Sequence, residues 1–92
     1  MTHWTVRISG AELPVFEYGN PAARSTVLLV HGYPDNRHLF DPLIAELGDT
    51  VRVIAYDTRG SGASALEPAA DVCIEQLARD AFAVVESIPE LT

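Results

Sequence analysis

Thr26-Val27-Leu28-Leu29-Val30-His31-Gly32-Tyr33-Pro34-Asp35 is the stretch from which the fold can be read. Residues 26–30 show no polar alternation, the pattern of a strand buried on both faces within a parallel sheet. His31-Gly32-Tyr33-Pro34 stops it. A parallel neighbour needs a crossover connection, and the residues that follow supply one. Leu39, Phe40, Leu43, Ile44 and Leu47 fall at helical spacing, with Asp41-Pro42 as N-cap and first helical residue and Gly48 as terminator. Val51, Val53, Ile54 and Ala55 then form a strand rich in β-branched residues, which ends at Tyr56-Asp57. The resulting β-α-β unit is expected to be parallel and right-handed.

Upstream, Trp4, Val6 and Ile8 alternate with Thr5, Arg7 and Ser9, the period of a strand with one face buried. Gly10-Ala11 offers a turn into a second strand, Leu13 to Tyr18, in which Pro14 argues for a sheet edge or a strand start. The two form an antiparallel hairpin. Downstream, Ile74, Leu77, Ala78, Ala81, Val85 and Ile88 mark one helical stripe, with Glu75, Gln76, Arg79 and Glu86 pointing elsewhere, and Pro89 closes the helix. The fold class is therefore α/β: an antiparallel hairpin followed by a β-α-β-α unit. The sequence contains no repeat, linker or low-complexity segment.

The chain has 92 residues, enough for one domain at most and for a small core. It is 48% hydrophobic and 21% charged, far from the composition of disordered chains. A net charge of −7 repels phosphate backbones and anionic lipid, so neither nucleic acid nor a membrane surface is an expected partner. No apolar run approaches the roughly 20 residues of a bilayer span, and residues 1–10 lack the features of a signal peptide. A cytoplasmic location is expected. Cys73 is the single cysteine, which excludes an intramolecular disulfide and a cysteine-based zinc site. All six basic residues are arginine, so Schiff-base and P-loop lysine chemistry are excluded as well.

In open α/β sheets, ligands sit beyond the carboxyl ends of the strands, which directs attention to two loops. The first is His31-Gly32-Tyr33-Pro34-Asp35; the second is Asp57-Thr58-Arg59-Gly60-Ser61-Gly62-Ala63-Ser64. Gly32 permits a sharp turn and close approach to a ligand, and an aromatic residue before Pro34 favours a cis peptide. With its His-Gly-x-Pro and Asp-x-Arg-Gly-x-Gly-x-Ser motifs in register and a helix between them, the chain resembles the α/β-hydrolase family from Trp4 to Ile88. Because Pro34 follows an aromatic residue, the resemblance leans towards the epoxide hydrolase and dehalogenase branch. It is most similar to bacterial epoxide-hydrolase-like proteins, some of which carry a further short-chain dehydrogenase domain.

This resemblance implies that residues 1–92 form the N-terminal portion of one α/β-hydrolase domain, ending before the strand that carries the nucleophile elbow. No G-x-S-x-G or G-x-D-x-G occurs in the sequence. The nucleophile, its acid partner, the catalytic histidine and the lid would all lie outside it. By resemblance, the backbone N–H of Tyr33 is one donor of an oxyanion hole, worth about 10² to 10³ in rate beside a working nucleophile. His31, Gly32, Pro34, Asp57, Arg59, Gly60 and Gly62 then shape the two loops. No cofactor is expected.

Other readings of the same residues are weaker. His31, Asp35 and His38 have spacings that fit no recognised zinc pattern, so no metal site is expected. Gly60-Ser61-Gly62-Ala63-Ser64-Ala65, with Asp80 about 20 residues on, formally matches a dinucleotide fingerprint. Pro68 prevents a helix from starting at those glycines, Asp57 would face the pyrophosphate, and Asp80 falls in mid-helix. Asp57 and Arg59 are expected to pair and brace their loop, with recognition of a substrate carboxylate by Arg59 as the alternative. Tyr33 stands where dehalogenases place a halide-binding Asn or Trp, which argues against dehalogenation. Cys73 sits at a helix start, in a structural role.

The expected function is that of an epoxide-hydrolase-like chain, inactive by itself. A complete member would take a small-molecule substrate and open the epoxide through an aspartyl ester to a diol. The alternatives are a non-catalytic gene fragment or binding remnant, and the N-terminal part of a serine esterase or other serine-based hydrolase. In the family's sheet the strand matching Thr26 to Val30 is central, so its exposed edge here is expected to favour self-association.

Overall fold

Residues 2–31, 36–61 and 73–88, together with the backbone of 65–66, are described by the structure, a computed structural model. Strands β1 (Thr2–Ile8) and β2 (Ala11–Gly19) form the antiparallel hairpin. Its turn is Ser9-Gly10, one residue earlier than the sequence suggests. Both residues have positive φ, 44° and 79°, the two-residue geometry whose twist matches that of the flanking strands. Then come β3 (Thr26–Val30), a 3-10 turn (Arg37–Phe40), α1 (Asp41–Leu47), β4 (Arg52–Tyr56), a short strand β5 (Ala65–Leu66) and α2 (Ile74–Ser87). β5 falls where the sequence pattern indicates only a loop. The strand order is β1-β2-β4-β3, with β5 beside β2.

This order corrects two expectations. β2 is internal, not an edge: β1 lies along one side, and β4 and β5 share the other. Pro14 is tolerated because its carbonyl accepts the Asp57 N–H at 3.3 Å just beyond the end of the β2–β4 ladder. Only the bond its missing N–H would have made is lost there. The second correction concerns burial. β3 runs parallel to β4 and lies at the edge of the described sheet, the exposed edge expected above, so its residues are half-buried rather than covered on both faces and Val30 is 47% exposed. Val53, Ile54, Ala55 and Tyr56 of β4 are the fully buried run, because β4 has a strand on each side.

The core follows from the pleat. Ala11, Leu13 and Val15 project from one face of β2, Ile54 and Tyr56 from the same face of β4, and Val84 and Ile88 of α2 close over them. Trp4, Val6, Ile8 and Leu28 line its margin, and the Trp4 indole N–H donates to Ser87 Oγ at 2.9 Å, joining β1 to the end of α2.

α2 departs from the periodicity reading by about a quarter turn. Its buried line is Gln76, Asp80, Val84 and Ile88, whereas Ile74 is 78% exposed and Phe82 70%. A buried cation beneath the helix, described below, draws two polar residues inward. α1 also differs from expectation. Its first residue is Asp41 rather than Pro42, Asp41 is helical rather than capping, and no residue of α1 is buried. Gly48 ends α1, its N–H donating to the Ile44 carbonyl at 3.1 Å.

Candidate functional site

Because β3 and β4 are parallel and Val30 is registered with Tyr56, both strands deliver their following residues to the same end of the sheet. His31 and Asp57 thus emerge side by side, 4% and 0% exposed. The Thr58 N–H donates to His31 Nε2 at 3.0 Å, with Thr58 Oγ1 3.3 Å from the same nitrogen. An imidazole nitrogen that accepts an amide hydrogen bears no proton, so the ring is the Nδ1–H tautomer. Asp57 accepts the backbone N–H of Arg37 at 2.8 Å and its Nη1–H at 2.7 Å.

The Arg37 guanidinium also lies over the Phe16 ring, Cζ 3.6 Å from the centroid, and Phe16 in turn stacks on His3. The cation is thereby held by a carboxylate and a π face together. Asn36 Oδ1 accepts the His38 N–H at 2.9 Å and caps the 3-10 turn that carries Arg37.

Arg59 belongs to a second network. Its Nε–H and Nη2–H donate to the two carboxylate oxygens of Asp80 at 2.6 and 2.8 Å. Nη1 and Nη2 also reach the carbonyls of Ser9 and Ile8, each at 3.1 Å. Gln76 donates to Asp80 Oδ1 at 2.9 Å, and Arg79 donates to Gln76 at 3.2 Å. One guanidinium therefore ties the loop after β4 to both the hairpin turn and the middle of α2. The Thr58–Ser61 turn that presents it is closed by the Ser61 N–H on the Thr58 carbonyl, 2.9 Å, with Gly60 at φ 76°. That third turn position requires a left-handed residue, which glycine supplies without strain.

The expected Asp57–Arg59 brace thus gives way to two longer-range pairings, Asp57 with Arg37 and Arg59 with Asp80. Sequence reasoning missed Arg37, Gln76 and Asp80 as members of this end of the molecule. The available signal was a Gln-Asp pair at i, i+4 in α2, outside the apolar stripe. Asp80, committed to Arg59, is not positioned for the ribose role that the glycine pattern would have asked of it. Tyr33, Gly32, Pro34, Asp35 and Gly62 lie outside the described residues, as does the Tyr33-Pro34 peptide. Among the described residues, no group of three or more His, Cys, Asp or Glu side chains could hold a metal ion, and no helix is long and apolar enough to cross a membrane.

Tyr56, 1% exposed, has its phenol pushed up from 10.0 to about 12, chiefly by burial and secondarily by the negative charge of Asp80. The unfolded chain then loses this proton first. The stabilisation that comes from keeping the phenol protonated is complete below about pH 10 and is lost as pH rises towards 12. In an ultraviolet pH titration, the tyrosinate signal missing from Tyr56→Phe is expected only in that upper range, accompanied by unfolding. Its appearance near pH 10 with the fold intact would contradict the burial of Tyr56.

The parallel β-α-β unit, the site at its carboxyl end and the hairpin before it together define a hydrolase-type half-sheet. The chain belongs to the α/β-hydrolase fold family, whose model matches residues 25–89. Over 77 residues it is 36% identical to a protein of Mycobacterium tuberculosis and of Mycobacterium bovis called the oxidoreductase EphD; the match covers 83% of this chain and 13% of the relative. Among solved structures it is similar to a variant of a Pseudomonas aeruginosa protein described as an epoxide hydrolase, with a TM-score of 0.77 and 29% identity, over 92% of this chain and 28% of that one. It is also similar to a thermophilic esterase from Thermogutta terrifontis, TM-score 0.75 and 29% identity, over 94% of this chain and 32% of that one. The chain therefore spans about an eighth of its curated relatives and under a third of these structural neighbours.

Proposed function

We propose that this chain contributes the N-terminal half of an epoxide-hydrolase-like active site, in a cytoplasmic protein. The observation that carries the reading is the meeting of His31 and Asp57 at the carboxyl ends of adjacent parallel strands, with Thr58 and Arg37 bonded to them. This is the end of the sheet at which α/β folds bind ligands. In this reading the Tyr33 N–H is one oxyanion donor, and His31, Gly32, Pro34, Asp57, Arg59, Gly60 and Gly62 shape the loops around it.

The remaining chemistry belongs to residues beyond this sequence: an aspartate that opens the epoxide as an ester, and a histidine that activates water to release the diol. Without a positioned nucleophile, these 92 residues alone form no covalent intermediate. The equal identity to an esterase supports a second reading, in which the missing nucleophile is serine.

Two measurements test this. The purified chain is expected to hydrolyse neither styrene oxide nor p-nitrophenyl acetate above a denatured control. The coding DNA downstream of Thr92 is expected to continue into a strand and a G-x-D-x-G elbow. Serine at the elbow would transfer the reading to the esterases, and turnover by the chain alone, or a stop codon directly after Thr92, would overturn it.

A further inference from the structure

We infer that the outer edge of β3 binds a second copy of this chain: the β3 strands of two molecules pair antiparallel, with Leu28 on the twofold axis. The self-association expected from the sequence thereby acquires a partner strand, a register and a closed stoichiometry. None of these depends on the hydrolase reading.

The argument starts from the backbone of the parallel ladder. The Arg52 N–H donates to the Ser25 carbonyl at 3.0 Å, one residue ahead of the Thr26–Arg52 register. In a parallel pair, successive residues of a strand turn alternately towards the partner and away from it. Ser25, Val27 and Leu29 therefore face β4, and Thr26, Leu28 and Val30 present their N–H and C=O groups to the opposite side. Among the described residues no strand lies there, because β3 ends the order β1-β2-β4-β3. This outward set is self-complementary. When two such edges meet antiparallel with Leu28 opposite Leu28, Thr26 of each copy falls opposite Val30 of the other. Each is a pair that exchanges both of its N–H···O=C bonds, so every outward backbone group of residues 26, 28 and 30 finds a partner. A slip of one residue sets outward groups against inward ones, and a centre moved to Val27 leaves Val30 unpaired within the strand.

The side chains favour the same contact. Residues 26–30 contain no charge and no proline, the features with which exposed edges resist pairing. The net charge of −7 on each copy therefore lies away from the residues that touch. Val30, registered with the core residue Tyr56 yet 47% exposed, gains cover from the second copy's Thr26. The 3-10 turn lies against β3 and adds Leu39, 54% exposed, to the apolar surface on this side of the molecule. β1, at the other end of the strand order, is guarded by Arg7, whose side chain is 72% exposed. An isologous β3–β3 contact closes on itself, so assembly stops at two chains.

The test is analytical ultracentrifugation of the complete 92-residue chain, combined with amide hydrogen exchange. A species of twice the chain's mass is expected, more fully populated as added salt screens the like charges. As concentration rises, the amides of Thr26, Leu28 and Val30 are expected to gain protection, whereas those of Val27 and Leu29, bonded to β4 in either state, change far less. That alternation is the signature of the register. Val30→Lys places a cation on the edge, and Thr26→Pro removes an outward N–H at the first residue of the strand, where the β4 ladder loses nothing. Each is expected to weaken dimerisation by about tenfold or more. Thr5→Lys, the same charge change at an exposed position of β1, is expected to leave it unaltered. Trp4 fluorescence checks the fold of each variant, and the exchange pattern of the parent chain decides by itself should both β3 variants unfold. A monomer at every attainable concentration would overturn the proposal and leave the edge to another occupant, such as a further segment of a longer chain. Open-ended oligomers, equal weakening by Thr5→Lys, dimers indifferent to both folded β3 variants, or protection spread evenly over residues 26–30 would overturn it as well.

Discussion

Replacing Arg59 with alanine is expected to destabilise the fold by about 3 to 5 kcal/mol, the range for breaking a buried ion pair from one side. The side chains of Arg59 and Asp80 are 0% and 1% exposed, so water does not replace the lost partner. Asp80 would be left in the interior without its cation, with the Gln76 amide still donating to it, and the Ile8 and Ser9 carbonyls would each lose a bond. Against a total of about 5 to 15 kcal/mol for a natural domain, this brings a small fold close to unfolding. Urea titration followed by the fluorescence of Trp4, the single tryptophan, measures it. The double replacement Arg59→Met with Asp80→Leu is expected to recover much of the loss, because an apolar pair removes both desolvation penalties. A loss below about 1 kcal/mol for Arg59→Ala, within the range of an exposed pair, would contradict the buried network.

Leu13→Ala is expected to cost about 3 to 5 kcal/mol, from the lost burial together with the cavity left behind. Leu13 is 0% exposed and packs in the cluster of Val15, Ile54, Tyr56, Val84 and Ile88, where β2, β4 and α2 converge. Leu43 is the natural contrast. It sits on α1 at 45% exposure, so Leu43→Ala is expected to stay within about 1 kcal/mol of the parent. The comparison separates the main core, which α2 closes, from α1, which has no buried residue in this chain. Equal losses for Leu13→Ala and Leu43→Ala in the same urea titrations would refute that division.

Much of the fold was legible because its signals are local. Alternation at Trp4, Val6 and Ile8, the apolar run of residues 26–30, Gly48 after a helical spacing and the stretch from Ile74 onward each reflect the geometry of one element. Each element was observed close to its expected bounds. The parallel pairing of β3 with β4 was legible too, since a helix between two strands leaves few other arrangements. That His31 and Asp57 emerge at one end of the sheet was legible as well, because residues following parallel neighbouring strands share one side.

Only the tertiary structure decided which strands of this chain have a neighbour on each side, which face α2 buries and which charges pair. A run of apolar residues reports that a strand can be buried but not how many neighbours it has, so the pattern of β3 suggests a burial that β4 in fact holds. Hydrophobic periodicity places the inner face of α2 on Ile74 and Ala78, because it gives no credit to a polar residue that finds its partner indoors. Asp80 faces inward for Arg59, 21 positions away, and Asp57 selects Arg37, 20 positions away, over its near neighbour. Such choices depend on distances through space and on desolvation at each site, and neither quantity exists until the strands have come together.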